Sequence, residues 1–166
     1  METNNDLGVV FLAHSRELLT SEYLPKIERC LSGIGDEAVW WRPNEASNSI
    51  GNIVLHLCGN VSQWIISGVG GRPYERHRQQ EFDERRAIPK GDLLDGIRTV
   101  VAGADEVIAK VGIASLLEPR RIQGYDVTVF EAIYHVVEHF SMHTGQIILL
   151  TKALTARDLK LWEPPA

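Results

Sequence analysis

Apolar residues recur at steps of three and four in four separate stretches of this chain, and none of its segments sustains the alternation of a strand. That periodicity belongs to helices that bury one face against each other. The first stretch runs from about residue 6 to 32, with Leu7, Phe11, His14 and Leu18 in register and Pro25 predicting a kink or split. The second starts near Ser49, capped by Ser47, Asn48 or Ser49, and carries Ile50, Ile53, Leu57, Asn60 and Trp64 before Gly68, Gly70 and Gly71 end it. The third starts around Pro89 to Asp92 and repeats through Leu93, Ile97, Val100, Ala104, Val107 and Val111. The fourth has a capping box in Thr128 and Glu131, followed by Val129, Ile133, Val136, Phe140, Ile147, Leu150 and Leu154.

The expected fold is therefore all-α: one domain over residues 1–166, an antiparallel four-helix bundle with long connections after helices one, two and three. A short turn of helix is expected over residues 36–41. The tail, ending in Pro164 and Pro165, should pack as an extended strip through Leu161 and Trp162. Residues 70–88 form a long polar connection. Its segment RPYERHRQQEFDERR is dense in charge but mixed in sign, as a solvated loop would be.

The charge balance narrows the partners. Seventeen basic residues stand against 22 acidic ones, and no basic stripe is interleaved with aromatics, which argues against nucleic acid. No stretch has the length to span a bilayer, and the N-terminus lacks the basic start of a signal peptide. Two cysteines, Cys30 and Cys58, without CxxC spacing give no disulfide framework, and a reduced cytoplasmic setting is expected.

The informative positions are polar residues that interrupt the seams, because an inward polar group is costly unless paired. His135, His139 and His143 lie four apart in HVVEHFSMHTGQI. On a helix each such step turns the direction by only about 40°, so they form one slanting stripe. Two neighbouring imidazoles on it can share a metal, and spacing alone makes 135/139 and 139/143 equally good pairs. His143 takes a seam position where an aliphatic residue is expected, with His139 beside it. On helix two, His56 and Asn60 lie one turn apart on the inner face, with Trp64 one turn further. A third imidazole from a second helix gives the count of a catalytic zinc-type site, with one position open.

Other readings compete for these residues. All the histidines could be core residues with hydrogen-bond partners, which is how His14 is read. His135 is open between ligand, ligand support and a contact near the bundle's end. Cys58 points about 200° away from His56, a poor co-ligand expected to pack in the core. Glu138 faces elsewhere. Gln146 serves equally to orient an imidazole or to bridge helices. The Glu-x-x-His of di-iron bundles, HExxH, phosphate loops, GxGxxG and GxSxG are all absent from the sequence.

Three stretches together resemble the DinB/YfiT-like superfamily of metal-dependent enzymes, in a small branch with a WRPN segment. They are WWRPNEASNSIGNIVLHLCGN (40–60), GRPYERHRQQEFDE (71–84) and HVVEHFSMHTGQI (135–147). The resemblance implies a four-helix bundle, often a homodimer, with a divalent metal on His56, His139 and His143. The Gly145-Gln146 pair sets that register and leaves His135 outside the triad. Thr144 departs from the pattern, standing where many relatives carry a basic residue, so an anionic substrate bound there would not carry over. Members of the superfamily include thiol-dependent transferases and isomerases using low-molecular-weight thiols.

Two functions follow. The first is a metal-dependent enzyme, with thiol S-transfer ahead of hydrolysis. Asn60, Trp64 and Gln146 would line its pocket, Arg72 or Arg76 would meet an anionic group, and the loop 70–88 would cover the site. Three imidazoles suit zinc or nickel first, then iron or copper. The second is a non-catalytic bundle in which a metal staples helix two to helix four. Trp40, Trp41 and Trp162 are the candidates for an apolar contact between copies.

Overall fold

Pro25 does not break the first apolar stretch. In the computed structural model, which describes residues 3–86 and 88–162, residues 3–32 form one continuous element, α1. It is α-helical over Thr3–Glu17, π-helical over Leu18–Tyr23 and α-helical again over Leu24–Ser32. Proline has no N–H to donate, and the widened turn before it absorbs the missing bond. The buried face of α1 runs through Leu12, Ser15, Leu19, Ile27, Cys30 and Leu31, not along the stripe through Leu7 and His14. A three-four pattern can be drawn along two adjacent stripes, and the seam runs along the later one. His14 is therefore exposed rather than a core histidine, facing Glu17 at 3.3 Å.

A short helix α2 (Asp36–Val39) leads to α3, residues 50–69, α-helical over Ile50–Val61 and π-helical over Ser62–Val69. Ser49 caps it in a reciprocal box with Asn52. The connection then holds a helix the sequence did not announce, α4 (Arg78–Asp83), before α5 (Lys90–Ile108). A 3-10 turn (Ile113–Ser115) and a hairpin, β1 (Pro119–Ile122) and β2 (Tyr125–Thr128), precede α6 (Val129–Thr155). Thr128 and Glu131 make the capping box of α6. Helices α1, α3, α5 and α6 form the antiparallel bundle around a core that includes Leu19, Leu57, Ile97, Ile133, Phe140 and Ile147.

The hairpin corrects the expectation that no strands form. Its strands have four residues each, too few for alternation to register, and the turn carries the signal. Gln123 (φ 55°) and Gly124 (φ 86°) both sit in the left-handed region, as a tight two-residue hairpin turn demands. Helix α5 ends at Ile108, so Val111 lies past it, and Val101 and Ile108 take the fully buried positions assigned to Val100 and Val107. The tail docks through Leu159 and partly through Leu161, but Trp162 is exposed, and Pro164 and Pro165 lie outside the described residues.

Trp40 is spent inside the fold. Its indole N–H donates to the Ile88 carbonyl at 3.0 Å, and its ring lies so close to Gly51 that a Cβ there would stand 2.9 Å from it. Only Trp41 and Trp162 of the expected contact tryptophans are exposed. Among the described residues no helix is long and apolar enough to cross a membrane.

The charged connection is also not simply solvated. Asn52 Nδ2 on α3 donates to the carbonyls of Glu81 (2.9 Å) and Glu84 (3.1 Å), which lashes α4 onto α3. Charges of opposite sign within the segment pair with each other, which allows part of it to be buried.

Candidate metal centre

Helix α3 presents His56 and α6 presents His139 and His143 across one seam. One nitrogen from each of the three lies within 4.8 Å of the others. His56 Nε2 and His139 Nε2 are 2.9 Å apart. Two imidazole lone pairs aimed at each other repel unless a proton or a cation lies between them. Nitrogens bound to one tetrahedral zinc at about 2.0–2.1 Å would stand about 3.3 Å apart, close to the separation of this pair.

The outer nitrogens fix the tautomers. His56 Nδ1 lies 2.9 Å from Glu81 Oε2, and a carboxylate accepts, so His56 carries its proton there and keeps Nε2 free. His143 Nδ1 likewise donates to Gln146 Oε1 at 2.7 Å, leaving its own Nε2 free. Glu81 is held in turn by Arg76, through Nε (2.7 Å) and Nη2 (2.8 Å). Arg76 Nη2 is also 3.1 Å from His56 Nδ1, a contact between two donors that follows from both converging on Glu81 Oε2. The guanidinium also donates to the His56 carbonyl (3.3 Å) and to Gln63 Oε1 (3.0 Å). Its side chain is 2% exposed and that of Glu81 12%. The ring of Phe82 lies 4.7 Å from that of His56 and shields it from solvent.

This environment favours the neutral form of the two α6 imidazoles, the state in which they ligate. Burial lowers His139 to about 3, helped by the neighbouring His143, His56 and His135. Burial also lowers His143, partly offset by its bond to Gln146. Burial alone would raise the Glu81 carboxyl, but the bonds from Arg76 and His56 outweigh it and the net shift is downward, so Glu81 stays an anion.

One helical turn from the three imidazoles lies a second polar layer. His135 is half-buried, with its ring centroid 5.4 Å from that of His139. Its Nε2 accepts from Asn60 Nδ2 at 3.3 Å, and the Trp64 ring lies 4.2 Å from it. His135 is not part of the three-histidine group. Of the remaining expected pocket residues, Gln146 touches His143, but Arg72 is on the surface facing Glu106 at 3.5 Å, away from the imidazoles. Arg76, expected to meet an anion, meets the protein's own Glu81. Cys58 is partly buried and packs against the core, outside the three-histidine group, its thiol pushed up to about 12 by burial and by Glu81. Glu138 is exposed.

Sequence reasoning missed Glu81 as the partner of His56. Nothing local separates it from Glu75 or Glu84. The available signal was Gly59, one turn after His56 on the same helix. A Cβ there would stand 2.0 Å from Glu81 Oε1, so only glycine admits the carboxylate.

A helical bundle with three imidazoles converging between two of its helices defines the class. Two solved structures share the fold at low identity. A DinB-like protein from Bacillus cereus is 16% identical, with a TM-score of 0.65 over 81% of this chain and 87% of its own. A conserved protein from Enterococcus faecalis is 14% identical, with a TM-score of 0.65 over 92% of this chain and 98% of its own. The fold is thus that of the DinB-like proteins. The chain itself belongs to the DUF1572 family of proteins of unknown function, whose model matches residues 6–164. No curated protein matches it.

Proposed function

We propose that this protein is a divalent-metal-dependent enzyme whose ion is held by His56, His139 and His143, with thiol S-transfer as its first reaction class and hydrolysis as its second. One observation carries the reading: three imidazole nitrogens within 4.8 Å of one another, two of them 2.9 Å apart. The outer nitrogens of His56 and His143 are already committed to acceptors, which leaves Nε2 of each to the centre. The group contains three residues and no fourth protein ligand among the described residues, as a site with an open position requires. A bound divalent ion would supply Lewis acidity there, lowering the pKa of a thiol or a water in the open position.

The protein's own residues divide the remaining work. Glu81 and Gln146 hold two rings in the ligating tautomer. Arg76 keeps Glu81 ionised, and Phe82 limits water around His56. Zinc and nickel suit three imidazoles with an open position. A reduced cytoplasm and a homodimeric assembly complete the reading.

Elemental analysis of purified protein, followed by turnover assays of the zinc- and nickel-loaded forms, tests it. The assays use low-molecular-weight thiols with an electrophile, and simple esters and amides. Substoichiometric metal that does not rise on loading would overturn the site. A loaded protein that melts higher than the stripped one but consumes neither class would make the ion a staple between α3 and α6.

A further inference from the structure

The layer beside the metal centre contains two polar atoms with no partner. Asn60 and Trp64 are 4% and 5% exposed, and among the described residues Asn60 Oδ1 and Trp64 Nε1 are the buried side-chain polar atoms left unbonded. Native interiors rarely leave such groups unpaired, and each unmade bond is costly. Both residues flank the same ring, His135, which stacks along α6 over His139. The helix changes from α to π at Ser62, between the two residues. Such a segment is less favourable than regular helix and occurs often at functional sites, where it re-aims a side chain. The exposed Tyr125 of the hairpin stacks on Trp64 from outside, with ring centroids 6.4 Å apart, and forms the lip of the layer.

From the two orphaned atoms flanking His135, one turn from the three imidazoles, we propose that Asn60 and Trp64 bind a neutral amide-type group of a small-molecule ligand. Its carbonyl accepts from Trp64 Nε1–H and its N–H donates to Asn60 Oδ1. An indole offers only a donor and an amide oxygen only an acceptor, and one of the two Asn60 N–H groups is already bonded to His135. A carboxylate, with acceptors alone, would suit only one of them, while an amide carries both the acceptor and the donor that the two atoms call for. No charged side chain bonds to either residue among the described ones, and the nearby Arg76 and Glu81 neutralise each other. This inference rests on the proposed metal centre in one respect: the amide would lie one helical turn from its three imidazoles.

The test uses zinc-loaded full-length protein labelled with nitrogen-15 at its four indoles. The Trp64 signal is identified by its loss in Trp64→Phe. Acetamide is titrated in, and separately N,N-dimethylacetamide, which keeps the carbonyl and lacks the N–H. Acetamide should shift the Trp64 indole proton saturably and leave the other three unmoved. Dimethylacetamide should bind about tenfold more weakly, the value of one lost hydrogen bond. In Asn60→Leu the two amides should become equivalent. Absence of a saturable Trp64 shift, which would mean that the pair holds water only, overturns the proposal, as does equal binding of both amides by the unaltered protein. Zinc content on the same sample separates the two readings. Bound zinc without an amide response removes this subsite and leaves the metal centre, whereas an amide response in protein that takes up no zinc keeps the subsite and removes the metal.

Discussion

Gly59→Ala should weaken metal binding although it touches none of the three imidazoles. In an ordinary helix interior the change stabilises by about 0.5–1 kcal/mol, because alanine loses less backbone freedom on folding. Here the new Cβ would stand 2.0 Å from Glu81 Oε1, 2.8 Å from Glu81 Cδ and 2.9 Å from Arg76 Nε. Ordinary contact begins at 3.4 Å, so the carboxylate oxygen must retreat by 3.4 − 2.0 = 1.4 Å. The atoms displaced are the ends of flexible side chains, so the protein should still fold, with a cost of about 1–3 kcal/mol typical of overpacking. A retreat of that size takes Glu81 Oε2 out of bonding range of His56 Nδ1, now 2.9 Å away. Losing the outer-shell partner of a metal-bound imidazole costs about 10- to 100-fold in metal affinity, or about 1.4–2.7 kcal/mol. Zinc affinity by competition with a chromophoric chelator, and thermal melts of the metal-free protein, give the two readouts. A Gly59→Ala protein that melts higher than wild type and binds zinc equally well would refute the role given to Glu81.

Three other outcomes follow. Glu81→Gln leaves the 2%-exposed Arg76 without its counter-charge and should destabilise by about 3–5 kcal/mol in urea unfolding; replacing both with apolar residues (Arg76→Met with Glu81→Leu) should recover most of that stability but not the zinc affinity. For the metal-free protein, His139 (about 3), His143 and His135 all titrate below the ordinary value of 6.5. The unfolded chain therefore binds more protons as pH falls below 6.5, so stability is full above that value and declines towards pH 3. Melting temperatures across that range check the sign, and a flat profile would contradict buried neutral imidazoles. Thr128→Ala removes the cap of α6 and should cost about 1 kcal/mol without changing zinc affinity, since the box lies two turns or more from the ligands on that helix.

The bundle was legible because its seams are long. The registers of α3 and α6 repeat over several turns, and their polar interruptions at His56, Asn60 and His143 are buried as the spacing requires. The first helix misled because two adjacent stripes both carry apolar residues, and only the neighbours decide which is buried. The hairpin was lost because four-residue strands carry almost no period, leaving Gln123-Gly124 as the sole mark. Spacing could place His139 equally with His135 or His143. The geometry that brings His56 towards His139 and His143, and Asn60 towards His135, depends on the crossing of two helices and cannot be read from one of them. Glu81 and Arg76 lie furthest from sequence legibility, because their burial depends on Asn52 lashing a charged segment onto α3.

Three particular histidines should hold one ion. Zinc titration of four single variants tests it: His56→Ala, His139→Ala, His143→Ala and His135→Ala, beside the unaltered chain. The unaltered chain and His135→Ala should each bind one tight equivalent, and each of the other three should lose it. Retention of that equivalent by any of those three, or its loss in His135→Ala alone, would contradict it.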